Sequence, residues 1–183
     1  MSEADVALVP FEPRAHLPLL ARWLERPHVR EWWGDPARAL REARAEGLEQ
    51  LVIALRGEPV GYLRFERASR EALDAVGLRD VPAGAVDLDV LLGERELLGR
   101  GIGSRALALF LERLRADPTV PAAGMSTSVR NARAIRAYER AGFARLRAYD
   151  DPEWGPSWLL LARLDAPCET RDGVLSSNEW PLG

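Results

Sequence analysis

The chain has 183 residues, 47% of them hydrophobic and 29% charged, with a formal net charge of −3. This profile fits one globular domain with a sizeable core, and it argues against a general nucleic-acid or anionic-membrane binder. The single cysteine, Cys168, leaves no disulfide within the chain and no zinc site built from cysteine pairs.

The stretch 6–13, VALVPFEP, reads as a short strand. Residues 16–27 place apolar side chains at 17, 20, 23 and 24, a helical spacing, with Pro27 closing the helix. Residues 29–36, VREWWGDP, read as an irregular aromatic segment. Residues 37–48 read as a short charged helix that Gly47 can cap. Then the period changes. Residues 50–55 and 60–66 flank RGEP and predict a hairpin. Residues 67–84 predict a loop with one helical turn. Residues 85–92 alternate strictly, with Val86, Leu88 and Val90 on one face and Asp87, Asp89 and Leu91 on the other.

After a loop, 104–115 is a strongly apolar helix and 122–129 a strand. Residues 131–143 form a helix with Asn131 at its N-cap and Gly142-Phe143 as a left-handed C-cap. Strands at 143–150 and 157–164 pair through the DPEWGP turn. The order predicts an α/β fold with a mixed, mostly antiparallel sheet of six to seven strands and flanking helices. Residues 165–183 show no periodicity. No apolar run reaches ~18 residues and the start lacks a secretory pattern, so a cytoplasmic protein is expected.

Several residues could carry chemistry. Gly99, Gly101 and Gly103 precede a helix, with Arg100 among them, so bare N–H groups and a helix dipole could hold an anion. A tight turn needs the same glycines. Asp87 and Asp89 lie roughly 7 Å apart on one strand face, as a solvated surface or an ammonium site. Asn131, Ala134, Tyr138 and Gly142 share a helix face. Trp32 and Trp33 adjoin each other beside His28, one indole fitting a core and the other a cation-binding wall.

LGRGIGSRAL followed about thirty residues later by NARAIRAYERAGF resembles the two coenzyme A-binding motifs of the GCN5-related N-acetyltransferases. WLERPHVREWWGD, GEPVGY and DLDVLLGERELLGRGIG extend the likeness to the aminoglycoside 6′-N-acetyltransferases and the siderophore-type acyltransferases. It covers roughly residues 5–165 and implies an acetyltransferase domain over 1–165, leaving 166–183 as a tail without a counterpart. The resemblance implies a splay between the central strands and acetyl-CoA as acyl donor. Val90, Leu91 and Leu92 would meet the pantetheine arm and polarise the thioester carbonyl. Leu98, Gly99, Arg100, Gly101, Ile102, Gly103 and Ser104 would wrap the pyrophosphate. Asn131 and Ala134 would hold the arm, Tyr138 would act as general acid, and Asp89 would bind the amine and accept its proton. Trp32, Trp33, Asp87 and Ser126 would line the acceptor site, with no metal. Ser126 stands where the closest aminoglycoside enzymes carry Asp, and Asp87 is the expected substitute.

The implied activity is direct acetyl transfer to a primary amine of a small molecule, without an acyl-enzyme. A hydroxylamino-acid acyltransferase or a non-catalytic acyl-CoA sensor are the alternatives. No nucleic-acid or membrane partner is expected, and monomer and homodimer both remain open.

Overall fold

A computed structural model describes residues 5–45, 48–151 and 154–164. Gly47, Cys168 and the 166–183 tail lie outside the described residues. Strands β1 (Val6–Pro10), β2 (Glu49–Leu55), β3 (Glu58–Arg67), β4 (Val86–Leu92), β5 (Ala122–Ser128), β6 (Ala144–Asp151) and β7 (Gly155–Arg163) make one sheet. Its order is β1-β2-β3-β4-β5-β7-β6. Every neighbouring pair is antiparallel except β4 with β5. The predicted hairpin forms, and Arg56 and Gly57 at its tip have φ of 54° and 86°. Two successive positive φ values match the twist of the flanking strands.

Three helices, α1 (Pro13–Leu24), α2 (Pro27–Trp33) and α3 (Pro36–Glu42), each open on a proline. That corrects the sequence reading. Pro27 starts α2 instead of merely ending α1, because a proline lacks the N–H that a first helical residue leaves unused. The segment 29–36, expected to be irregular, is therefore helical through Trp33. For the same reason α1 begins at Pro13 instead of residue 16. Asp35 caps α3 by accepting from the Ala37 and Arg38 amides. This helix stops short of residue 48: beyond it, the Arg44 and Ala45 amides bond the Arg41 and Glu42 carbonyls in tighter turns. Helix α4 (Arg70–Ala75) is the helical turn expected within 67–84.

The sheet is covered on both faces. Helices α5 (Ile102–Arg115) and α6 (Ala132–Ala141) take one side. Leu107, Phe110, Leu111 and Leu114 of α5 pack on Val86, Leu88, Met125 and Leu160. Phe110 meets Phe65 edge-on at 4.7 Å between ring centroids. On the other side, Leu20, Trp23, Leu24 and Val29 pack with Ala39, Tyr62 and Leu91. The alternation read along β4 is thus real, with Val86 and Leu88 toward α5 and Leu91 toward α1–α3. Among the described residues no helix is long and apolar enough to cross a membrane.

Gly93, directly after β4, cannot be anything larger. A Cβ there would overlap the Trp23 indole, which is itself buried and bonded through Nε1 to Glu94. Gly93→Ala is expected to cost about 1–3 kcal/mol through overpacking, read as a lower denaturation midpoint. Gly103→Ala, whose Cβ would meet only Leu92 at 3.9 Å, should leave the midpoint unchanged or raise it.

Candidate active site

The parallel pair β4–β5 is brief. Only Val86↔Ala123 and Asp87↔Gly124 are in register. Beyond them β4 stays with β3 as far as Gly61↔Leu92, and β5 stays with β7 as far as Ser128↔Ser157. The sheet therefore opens as a V, as expected. Backbone groups along its inner edges have no ladder partner across the gap, and buried ones need partners of some kind. One is supplied locally: His28 Nε2 lies 3.1 Å from the Leu92 carbonyl oxygen.

A first pocket fills the V. The glycine loop enters it with Leu98, Gly99, Gly101, Ile102, Gly103 and Ser104. Gly99 and Gly101 have φ of 76° and 82°, in the left-handed region, and Gly101 is the N-cap of α5. A Cβ on either would meet nothing within 4 Å. Backbone conformation, not crowding, thus demands glycine here, and the space before the amides is open. The Ser104 hydroxyl in the first turn of α5 is buried without a hydrogen-bond partner. An anion at this helix start would face unspent donors and the positive end of the dipole. Val90, Leu91 and Leu92 form another wall, with Asn131, Ala134 and Tyr138 of the α6 region opposite. Arg100 and Asp87 are not among the lining residues.

Asn131 caps α6 as expected. Its Oδ1 accepts from the Ala134 amide at 3.3 Å, and its Nδ2 donates to Thr127 Oγ1 at 3.2 Å. Gly142 takes the left-handed conformation and Phe143 N–H donates to the Tyr138 carbonyl. The cap thus fixes Tyr138 in rotation and depth. Tyr138 is 8% exposed. Burial first, and then the negative charge of Asp89, push its phenol well above the ordinary value. It is a neutral hydroxyl, able to give a proton, at any physiological pH.

A second pocket adjoins the first through Trp32, Trp33, Asp89, Ser126 and Thr127, which line both. Both indoles therefore reach the cleft, although Trp33 also packs against the α1–α3 core. The remaining walls bring residues that the sequence reading did not single out: Glu42, Arg64, Tyr149, Asp151 and Trp154. Arg64 Nε donates to Asp89 Oδ2 at 2.8 Å and its Nη1 donates to Glu42 Oε2 at 2.7 Å. Its guanidinium sits 5.1 Å from the Trp33 ring centroid. Burial works against the Glu42 carboxylate, but the bonds from Arg64 and Arg38 outweigh it and hold its pKa below the ordinary value. Tyr149 donates to Asp151, 3.3 Å away, and Asp151 also accepts from the Trp154 amide. Trp154 in turn lies over Gly34, where a Cβ would come within 2.8 Å of the indole.

Asp87 stands apart from both pockets. It lines a separate concavity with Asp89, Glu42 and Glu66. Crowding by protein first, then the like charges of Asp89 and Glu66, raise its carboxyl to about 7. The side chain keeps an open face to water, which screens part of that repulsion.

A sheet split after a two-residue parallel pair, with a glycine-loop helix start at the mouth and a buried neutral phenol lining the cleft, defines the class of acetyltransferases with a divided central sheet. The comparisons with known proteins agree. The family model for a GNAT acetyltransferase domain matches residues 12–151. The aminoglycoside N(6′)-acetyltransferase type 1 of Klebsiella pneumoniae is 32% identical over 166 residues, covering 85% of this chain and 82% of the relative. A kanamycin resistance protein of Rhizobium radiobacter is 34% identical over 88 residues, 48% of this chain and 81% of that one. The solved structure of AAC(6′)-Ib with paromomycin and acetyl-CoA superposes with a TM-score of 0.77 at 29% identity, over 93% of this chain and 99% of the other. The chain belongs to the GNAT acetyltransferase family.

The raised Asp87 has a measurable consequence. In the folded state it keeps its proton up to about pH 7, against an ordinary value of 3.8. Between those values the folded chain binds more protons than the unfolded one, so this site's contribution to stability falls as pH rises through that window. Asp87→Asn should therefore match the wild type in thermal denaturation near pH 4 and exceed it near pH 8. A midpoint difference that does not grow with pH would contradict the assignment.

Proposed function

We propose that this protein transfers an acetyl group from acetyl-CoA directly to a primary amine of an aminoglycoside-like amino sugar. The observation that carries the reading is the junction of the two pockets: one has open backbone donors at a helix start, the other is rich in carboxylates and indoles, and Asp89 lines both. The relative solved with paromomycin and acetyl-CoA supports the same division of labour.

The residues present fit the donor. The amides of 99–104 and the orphaned Ser104 hydroxyl would take the pyrophosphate, the Leu98 amide being bonded to the Arg95 carbonyl. The unpaired inner edge of β4 from Val90 to Leu92 would bond the pantetheine arm, and an N–H there would polarise the carbonyl. Asn131 is buried and already bonded at both ends, so it serves first to fix α6 and can offer its remaining amide hydrogen to the arm. Acetyl-CoA supplies an activated acyl group when bound.

Asp89 anchors the ammonium through its carboxylate, the ammonium yields one proton to water, and the neutral amine attacks the thioester carbonyl. As the new N–C bond forms and the C–S bond breaks, the acylated nitrogen passes its second proton to Asp89. Tyr138, held protonated by burial and by Asp89, gives its proton to the departing sulfur. Glu42, Asp151, Trp32 and Trp33 would line the rest of the acceptor, offering hydrogen bonds and ring contact.

Thiol release from acetyl-CoA should be detected with an aminoglycoside in a panel that also holds polyamines and N6-hydroxylysine. Tyr138→Phe is expected to lower kcat on the order of a hundredfold with little change in KM for acetyl-CoA. Asp89→Ala should lower kcat/KM for the amine comparably. Binding of acetyl-CoA without turnover of any amine would replace the enzyme by an acyl-CoA sensor, and turnover of N6-hydroxylysine alone would move it to the hydroxylamino-acid acyltransferases.

A further inference from the structure

The second pocket contains its own cation. Arg64 extends from β3 into the space between Asp89 and Glu42 and bonds both carboxylates, at 2.8 Å and 2.7 Å. The indole of Trp33 covers its guanidinium. The side chain is only 20% exposed, whereas Glu42 and Asp89 are 38% and 49% exposed. The opposite face of Glu42 is taken by Arg38, at 2.9 Å. Arg64 thus makes the contacts that a substrate ammonium would seek in an acidic, aromatic pocket: two charge-assisted hydrogen bonds and one ring face.

The charges in the wall follow. Asp89, Glu42 and Asp151 are opposed by Arg38 and Arg64, so three negative charges against two positive ones leave a net of −1. Asp89 engages Arg64 through Oδ2, which leaves Oδ1 for one ammonium. A second ammonium bridging toward Glu42 would have to expel a guanidinium already desolvated and paired, or sit beside it against like-charge repulsion.

We propose that Arg64 is a specificity-determining residue that fills the second cation subsite of the acceptor pocket, so that the enzyme selects amino sugars of low charge over polycationic aminoglycosides. The inference rests on the reading above that this pocket takes the amine. It narrows the acceptor to a molecule with one ammonium at the reacting end and neutral, hydroxylated groups beyond it, which Arg64 and the nearby Ser126 and Tyr149 hydroxyls can meet.

The test compares a mono-amino sugar bearing one primary aminomethyl group with kanamycin as the polycation, at saturating acetyl-CoA. The wild type should show the higher kcat/KM on the mono-amino sugar. Arg64→Gln should raise the ratio of kcat/KM for kanamycin over the mono-amino sugar by on the order of five- to tenfold, mostly through KM. Using the ratio cancels any effect on rate passed through Asp89. Arg64→Lys, which keeps the charge, should restore the wild-type ratio. The half-exposed Glu42 and Asp89 can be hydrated when Arg64 is removed, so the fold should survive, which circular dichroism checks.

An active wild type whose ratio is unmoved by Arg64→Gln would overturn the role of Arg64 and leave the acetyltransferase reading intact. Absence of turnover on every amine would instead overturn that reading. Titration calorimetry of kanamycin against the coenzyme A-bound protein would then still decide the point: tighter binding by Arg64→Gln supports the occupied subsite, and equal binding refutes it.

Discussion

Everything in the site depends on β4 and β5 parting after Asp87. Two registered pairs hold the strands together, and the next residues of each keep only their outer partners. A gap inside a sheet is costly, because amides and carbonyls are taken from their neighbours without being given to water. The fold offsets the cost at the gap itself. His28 reaches the Leu92 carbonyl from α2, and α5 aims its first turn at the opening. What stays unpaired is a short edge of extended backbone, and a linear ligand with alternating donors and acceptors can continue the sheet there. The opening is thus a binding feature that exists before any side chain is considered.

The side chains then divide the opening by charge. At the α5 end the field is positive, from a helix start and amides with no Cβ in their way. On the α1–α3 side it is negative, from Glu42, Asp89 and Asp151. Asp89 is common to both and acts in two directions. Its charge helps keep the Tyr138 hydroxyl protonated, which suits a group that must give a proton. It is itself tied to Arg64, so its strength as an anchor is set by a neighbour on β3. Moving the Arg64 charge would therefore alter the surroundings of Asp89 and, through Asp89, those of the Tyr138 hydroxyl.

The donor half of this arrangement was legible in the sequence because it is local. A glycine run needing positive φ, the helix after it, and an Asn cap closed by Gly142-Phe143 are all set by residues within a few positions of one another. Periodicity placed Asp89 on one strand face and Tyr138 on one helix face, and only the resemblance to the acetyltransferases implied a role for either. The acceptor half was not legible, because it is assembled by register. Arg64 meets Asp89 only because β3 and β4 pair at those residues, and nothing within β3 states that pairing. Asp151 and Trp154 arrive from the hairpin of β6 and β7, on the far side of the split. The helix boundaries failed for a different reason. Proline is read from sequence as a stop, yet at three places here it is a start, and α2 was hidden because its aromatic run lacked an obvious apolar stripe.

These two kinds of encoding predict different fates under substitution. Main-chain donors are available from many sequences, provided that a few φ values are permitted, so a donor site of this type survives wide divergence. The pocket opposite is written in side chains from α2, α3, β3, β4, β5 and the last hairpin, and any one of them can change its charge without disturbing the sheet. At 29% identity the chain still superposes with a TM-score of 0.77 on a relative solved with paromomycin. Likeness at that level tests the sheet, the glycine loop and the caps far more strictly than it tests the acceptor wall. Under the proposed function, what the enzyme acetylates turns on a handful of charges around Asp89. Among them Arg64 is the one most buried and most firmly bonded, hence the hardest for a substrate to displace.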